Sequence, residues 1–148
     1  MKHETSIIRK AKANDFSACL PLFKSLYHGD IGPNFKHTFE DFVNNKESTV
    51  LLAEKSSKVI GILIGSYHLD IDWEGKIAKI DAIIINENSR RSGIGKKLTN
   101  YFIIEARDRK CKAVVSRVNK NNRVAKLFHT NLGFTRANTY EYVLDLQQ

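Results

Sequence analysis

The chain has 148 residues, 42% of them apolar, and carries 24 Lys plus Arg against 16 Asp plus Glu, a formal charge of +8. That length and apolar share suit one compact domain over residues 1–148 and argue against wholesale disorder. Two cysteines, Cys19 and Cys111, lie far apart, which excludes a disulfide scaffold and a Cys-rich zinc site.

The charge points to a polyanionic partner: a nucleic acid, a membrane surface or a phosphorylated ligand. No apolar run approaches the roughly 20 residues of a membrane span. The polar start, Met1 to Ser6, does not read as a secretory leader. A soluble, reduced, cytoplasmic protein is expected.

In chain order, Ile7-Ile8-Arg9-Lys10-Ala11 reads as a first strand. Asn14 is a candidate N-cap, and Phe16, Cys19, Leu20, Phe23, Leu26 and Tyr27 recur at helical spacing. They predict a helix from Asp15 to Tyr27, with Pro21 inside it. Gly29 and Gly32-Pro33 break the chain, and Phe35, Phe39, Phe42 and Val43 mark a shorter helix. Thr49 to Glu54 predicts a strand, Lys55 to Lys58 a turn, and Val59 to His68 a longer strand. Asp70 to Gly75 is an acidic loop around Trp73. Lys76 to Ile85 predicts a strand that becomes wholly apolar at Ile83-Ile84-Ile85, as if that end were buried on both faces. A helix from Gly93 to Lys110, a strand from Ala113 to Val118 and a helix from Asn122 to Leu132 follow. Phe134 to Leu146 predicts extended structure, one or two further strands. The order implies an α+β fold, a mixed sheet with helices on both faces.

The segment Ile83 to Leu98 carries the clearest chemistry. An apolar strand ends in a short polar loop, and the turn Arg90-Arg91-Ser92-Gly93-Ile94-Gly95-Lys96-Lys97 leads into an amphipathic helix. Glycines let a ligand approach the backbone. The first N–H groups of a helix have no intrahelical partner, and with the helix dipole they form an anion site. Arg90, Arg91, Lys96 and Lys97 add positive charge. Neither a Walker motif nor Gly-x-Gly-x-x-Gly is present.

Arg90-Arg91-Ser92-Gly93-Ile94-Gly95 resembles the Arg/Gln-x-x-Gly-x-Gly/Ala signature of GNAT-type N-acetyltransferases, which wraps the pyrophosphate of acetyl-CoA. Asn122 to Phe134 is similar to a second family pattern, Asn-x-x-Ala-x-x-Φ-Tyr-x-x-x-Gly-Phe, with Φ apolar. Ile8-Arg9-Lys10-Ala11 leading to Asn14-Asp15-Phe16 resembles the opening strand and helix. The resemblance covers essentially the whole chain. It implies a mostly antiparallel sheet of six to seven strands and acetyl transfer from acetyl-CoA to a primary amine by direct attack on the thioester. Metal catalysis is not expected, because the five histidines show no ligand spacing.

The resemblance also implies roles. The pantetheine arm would add beside Ile83, Ile84 and Ile85, where a splayed edge leaves an N–H for the thioester oxygen. Arg90, Arg91, Ser92, Gly93, Ile94, Gly95 and Lys96 would hold the pyrophosphate. Asn122 would contact the cofactor, and Phe128 would pack near it or in the core. The family's proton-donating Tyr is His129 here. A histidine is able to act as an acid near working pH, and a packing role is the bland alternative. Tyr140 and Tyr142 are weaker substitutes. Asp81 is the candidate general base, against an ion-paired strand carboxylate; Glu54 is a remoter one. The acceptor, a small molecule or peptide amine, would sit under the first two helices, near Tyr27, His28, Asp30, Phe35 and Phe39. The hairpin residues His68, Asp70, Asp72, Trp73 and Glu74 are further candidates. A homodimer is compatible with the family. Two rivals remain: a CoA-binding regulatory module without catalysis, and a nucleic-acid-binding domain. The spread of basic residues and the lack of a nucleic-acid motif count against the second.

Overall fold

The computed structural model describes residues 5–147. It divides into two compact units, 1–117 and 118–148. The first holds strands β1 (Ile7–Lys10), β2 (Ser48–Lys55), β3 (Lys58–Asp70), β4 (Gly75–Ile85) and β5 (Val114–Ser116), with helices α1 (Phe16–Leu26), α2 (Phe35–Asn44) and α3 (Ile94–Asp108). The second holds helix α4 (Arg123–Asn131).

The sheet has the order β1-β2-β3-β4-β5. The first four strands are antiparallel and β5 is parallel to β4. Ser56 and Ser57, with φ of 53° and 61°, make the two-residue turn between β2 and β3, the left-handed pair that suits a twisted hairpin.

Strand alternation gives the sheet two apolar faces. Val50 and Leu52 pair with Ile64 and Ile62, and these four pack with Phe16, Cys19, Leu22, Phe23 and Phe39 of α1 and α2. The alternate residues face α3. A Cβ on Gly61 would meet Ile94 and Leu98, and one on Gly65 would sit 2.5 Å from Phe102 Cζ. The expectation of helices on both faces therefore holds. Phe102 is fully buried and cannot move aside. Gly65→Ala is expected to destabilise the protein by about 1–3 kcal/mol, the usual range for overpacking, read as a lower urea midpoint with an unchanged slope.

Several expectations are corrected. The sheet has five strands, not six to seven. Phe134–Leu146 forms none: among the described residues the second unit has no strand to offer it a ladder, and Tyr140, Tyr142 and Leu144 stay exposed. Of the three terminal isoleucines of β4, only Ile84 is buried; Ile83 and Ile85 are half-buried. β5 is three residues long, shorter than its apolar run suggests. The N-cap of α1 is Asp15, not Asn14.

Asp15 instead serves a cluster that sequence reading missed. Arg9 donates to both carboxylate oxygens of Asp15 at 2.8 Å and to Glu54 Oε1 at 2.9 Å. The Lys12 N–H donates to Asp15 Oδ2 at 2.7 Å. The hydrogen bonds from Arg9 hold both carboxyls below their ordinary range. A depressed folded pKa means stability that is full above the unfolded value, near 4, and is lost as pH falls through the folded value. Wild type is therefore expected to lose more stability between pH 6 and pH 2.5 than Arg9→Met does, so that their urea midpoints converge in acid.

Candidate active site

β4 leaves part of one edge without a partner strand among the described residues. Its first half pairs with β5 at Ala78, Lys79 and Ile80 only. Its whole length pairs with β3, out to Ile85 opposite Gly61. The Asn86 N–H donates to Ile60 O at 2.8 Å, so residue 86 points its backbone toward β3. Alternation then turns the backbone groups of Ile83 and Ile85 the other way. There, among the described residues, no strand pairs with them. Arg90 Nε reaches back to Ile85 O at 3.3 Å.

The alternation changes phase in mid-strand. Ala78 donates to Ala113 O on the β5 side. The register runs Gly65 to Ile80 and then Ile64 to Ala82, so Asp81 is the extra residue of a β-bulge. Asp81 Oδ2 accepts from Ser66 Oγ at 2.7 Å, and Lys79 Nζ lies 3.5 Å from Oδ1. Two neighbours thus hold the carboxylate while leaving it acceptor capacity.

Asp81 lines a cavity of about 200 Å³ beneath α1 and α2, with Phe23, Tyr27, Phe35, Phe39 and Phe42. Of the expected acceptor residues, Tyr27, Phe35 and Phe39 are there; His28 and Asp30 are not among its lining. Neither is the acidic hairpin. Asp70 caps its own turn, accepting from Asp72 N and Trp73 N, and the hairpin end at Gly75 is six residues along β4 from Asp81, about 20 Å. Phe23 and Phe42 escaped the sequence reading because their helical spacing marks only a core face.

The turn after β4 has the backbone of an anion site. A single 3₁₀ turn, Glu87–Ser89, is capped by Asn86 Oδ1. Ser92 Oγ donates to the Ser89 carbonyl and closes the next turn. Arg91 and Gly93 are left-handed, with φ of 63° and 83°. Gly93 is the N-cap of α3, and a Cβ there would meet nothing within 4 Å; it is required by conformation, not by crowding. The first helical bond runs from Lys97 N to Gly93 O. The N–H groups of Ile94, Gly95 and Lys96 precede that ladder and have no intrahelical partner. The Ile94 side chain is buried toward β3, so Ile94 can serve a ligand only through its backbone. Lys97 is turned away from the turn: its Nζ donates to Ser6 Oγ at 2.9 Å.

Elsewhere the candidates are occupied. Glu54 is engaged by Arg9 and its carboxyl is held in the ionised form, which makes it a poor base. Burial pushes the Cys19 thiol up to about 12, away from nucleophilic use. In the second unit, Asn122 Oδ1 accepts from Ala125 N at 3.0 Å as the N-cap of α4. His129 is buried; its Nδ1 lies 2.8 Å from Ala125 O, and edge-to-face contacts join it to Phe128 and Phe134. A carbonyl only accepts, so Nδ1 carries the proton. Phe128 is half-buried, and Tyr140 and Tyr142 are exposed. Among the described residues there is no cluster able to hold a metal ion, and no helix is long and apolar enough to cross a membrane.

Comparison with known proteins agrees on the fold. No curated protein matches the chain by sequence. The chain superposes on the aminoglycoside N-acetyltransferase AAC(6')-Iy, solved with CoA, with a TM-score of 0.88 at 16% identity over 98% of this chain and 97% of the other. It superposes on the aminoglycoside 6'-N-acetyltransferase AAC(6')-Ih of Acinetobacter baumannii with a TM-score of 0.84 at 21% identity, covering 95% and 98%. For the ribosomal-protein-alanine N-acetyltransferase of Brucella melitensis biovar Abortus 2308 the values are 0.78, 17%, 96% and 99%. The family model described as "Acetyltransferase (GNAT) family" matches residues 16–134. The open β4 edge, the left-handed glycine turn and that match lead to one statement: the chain belongs to the GNAT acetyltransferase family.

Proposed function

We propose that the chain is an acetyl-CoA-dependent N-acetyltransferase acting on a primary amine. The observation that carries the reading is the continuity of β4 with the turn. The strand-unpaired edge at Ile83 and Ile85 leads, across the eight residues 86–93, to the N–H groups of Ile94, Gly95 and Lys96, which have no intrahelical partner. Acetyl-CoA would supply an activated acetyl thioester. Main-chain groups of Ile83 and Ile85, flanking Ile84, would hold its pantetheine arm, one N–H serving as oxyanion donor. The turn at Ser92 and Gly93 and the α3 N-terminus would bind the pyrophosphate, with Arg90 and Arg91 beside it. Asp81 would accept the proton of the bound ammonium. Asn122 and Phe128 remain cofactor contacts on the strength of the motif alone.

The proton for the leaving thiolate is the open role. His129 stands at the motif position, but its Nδ1 proton is given to Ala125 O and its buried ring is packed against Phe128 and Phe134. We assign His129 to packing, and the leaving thiolate takes its proton from solvent. His129→Phe is then expected to change kcat less than threefold while lowering stability by about 1 kcal/mol, the worth of one hydrogen bond. A loss of kcat of a hundredfold or more would return the acid role to His129. The same geometry favours one second reading, a CoA-binding regulatory module, which predicts CoA binding without turnover. Amide hydrogen exchange tests the binding mode common to both. CoA is expected to protect Ile83, Ile85 and residues 93–96; protection confined to other segments would contradict it.

A further inference from the structure

We propose that the cavity between α1, α2 and β4 selects a small primary monoamine with an aromatic body, an arylalkylamine, over polyamines and aminosugars. The inference rests on the acetyl-transfer reading above and names its acceptor. Size is the first argument. The cavity is about 200 Å³; an apolar cavity of about 150 Å³ admits benzene, so one ring with a two-carbon arm fits.

Lining is the second. Aromatic walls already stand edge to face: Tyr27 and Phe35 have centroids 5.6 Å apart at 69°, and Phe23 and Phe35 4.7 Å apart at 61°. One more ring extends such an array favourably. Tyr27 is half exposed at the rim, open to a ring or an ammonium group.

Charge is the third. Asp81 is the one charged side chain among the lining residues. It complements one ammonium group. Each further cation of a polyamine would be desolvated against phenylalanine without a partner, which is costly.

The step balances as follows. The amine enters as R–NH3+ and passes one proton to the Asp81 carboxylate. Its nitrogen then forms the N–C bond to the acetyl carbon, and the C–S bond breaks with its electron pair going to sulfur. The second nitrogen proton leaves as the thiolate takes one up, and Asp81 returns its proton to solvent. The products are R–NH–acetyl and CoA thiol.

The test is calorimetric binding of 2-phenylethylamine, n-butylamine, spermidine and neamine to the full chain, with and without saturating CoA, followed by thiol release from acetyl-CoA. 2-Phenylethylamine is expected to bind at least tenfold more tightly than the other three. Tyr27→Ala, and Thr38→Trp filling the cavity from α2, are each expected to weaken it at least fivefold with CoA affinity unchanged. Equal or tighter binding of spermidine or neamine, or indifference to both variants, overturns the proposal. Binding of 2-phenylethylamine without any binding of CoA would strike the transferase reading and leave the acceptor assignment standing. CoA binding with preferred acetylation of spermidine would do the reverse.

Discussion

Arg91→Glu combined with Gly93→Pro is expected to weaken CoA binding at least a hundredfold. Gly93 sits at φ +83° as the N-cap of α3, whereas proline is locked near −65°. The turn must therefore refold, and the Gly93 N–H is lost with it. Arg91 is itself left-handed and exposed, so its charge is presented by the turn, and reversing it opposes a pyrophosphate directly. A hundredfold corresponds to about 2.7 kcal/mol, within reach of a lost N–H contact, backbone strain of about 1–2 kcal/mol and the charge reversal together. The helix should survive, because its first bond uses the carbonyl of Gly93, which proline retains. Titration calorimetry with CoA, beside circular dichroism of the variant, measures both parts. Unchanged CoA affinity in a folded variant would remove the turn from the site.

Asp81→Asn is expected to lower kcat by 10²–10⁴-fold, the usual span for losing general acid or base help, with CoA affinity within twofold of wild type. Asparagine keeps the shape and still accepts from Ser66 Oγ, but it cannot take a proton from the ammonium group. The change also loosens the contact with Lys79, so a thermal melt is needed to show that fold and rate separate. A kcat within threefold of wild type would make Asp81 an ion-paired strand residue only.

The part of this site that sequence reveals is the part built locally. An apolar run, a polar loop and Gly-x-Gly before an amphipathic pattern place β4, the turn and α3 from near-neighbour chemistry alone. What sequence hides depends on pairing between distant segments. The bulge that sets Asp81 apart exists only in the register of β4 against β3, and no spacing within Lys76–Ile85 announces it. Lys97 reads as part of the basic cluster, yet it serves Ser6, 91 positions away. Arg9, Asp15 and Glu54 meet because β1 pairs with β2. The segment Thr139 to Leu146 alternates like a strand, Tyr140, Tyr142, Leu144, Leu146, but alternation makes a strand only where another edge supplies hydrogen bonds. The aromatic cavity was half legible: Tyr27, Phe35 and Phe39 were expected near the acceptor, while the depth given by Phe23 and Phe42 required the packed helices.

The most direct test of acetyl transfer is thiol release from acetyl-CoA by the wild-type chain with and without 2-phenylethylamine, with the Arg91→Glu/Gly93→Pro variant alongside. Amine-dependent release by the wild type, abolished in the variant, is the predicted result. Absence of release with this or any other primary amine, in a protein that binds CoA, would contradict it.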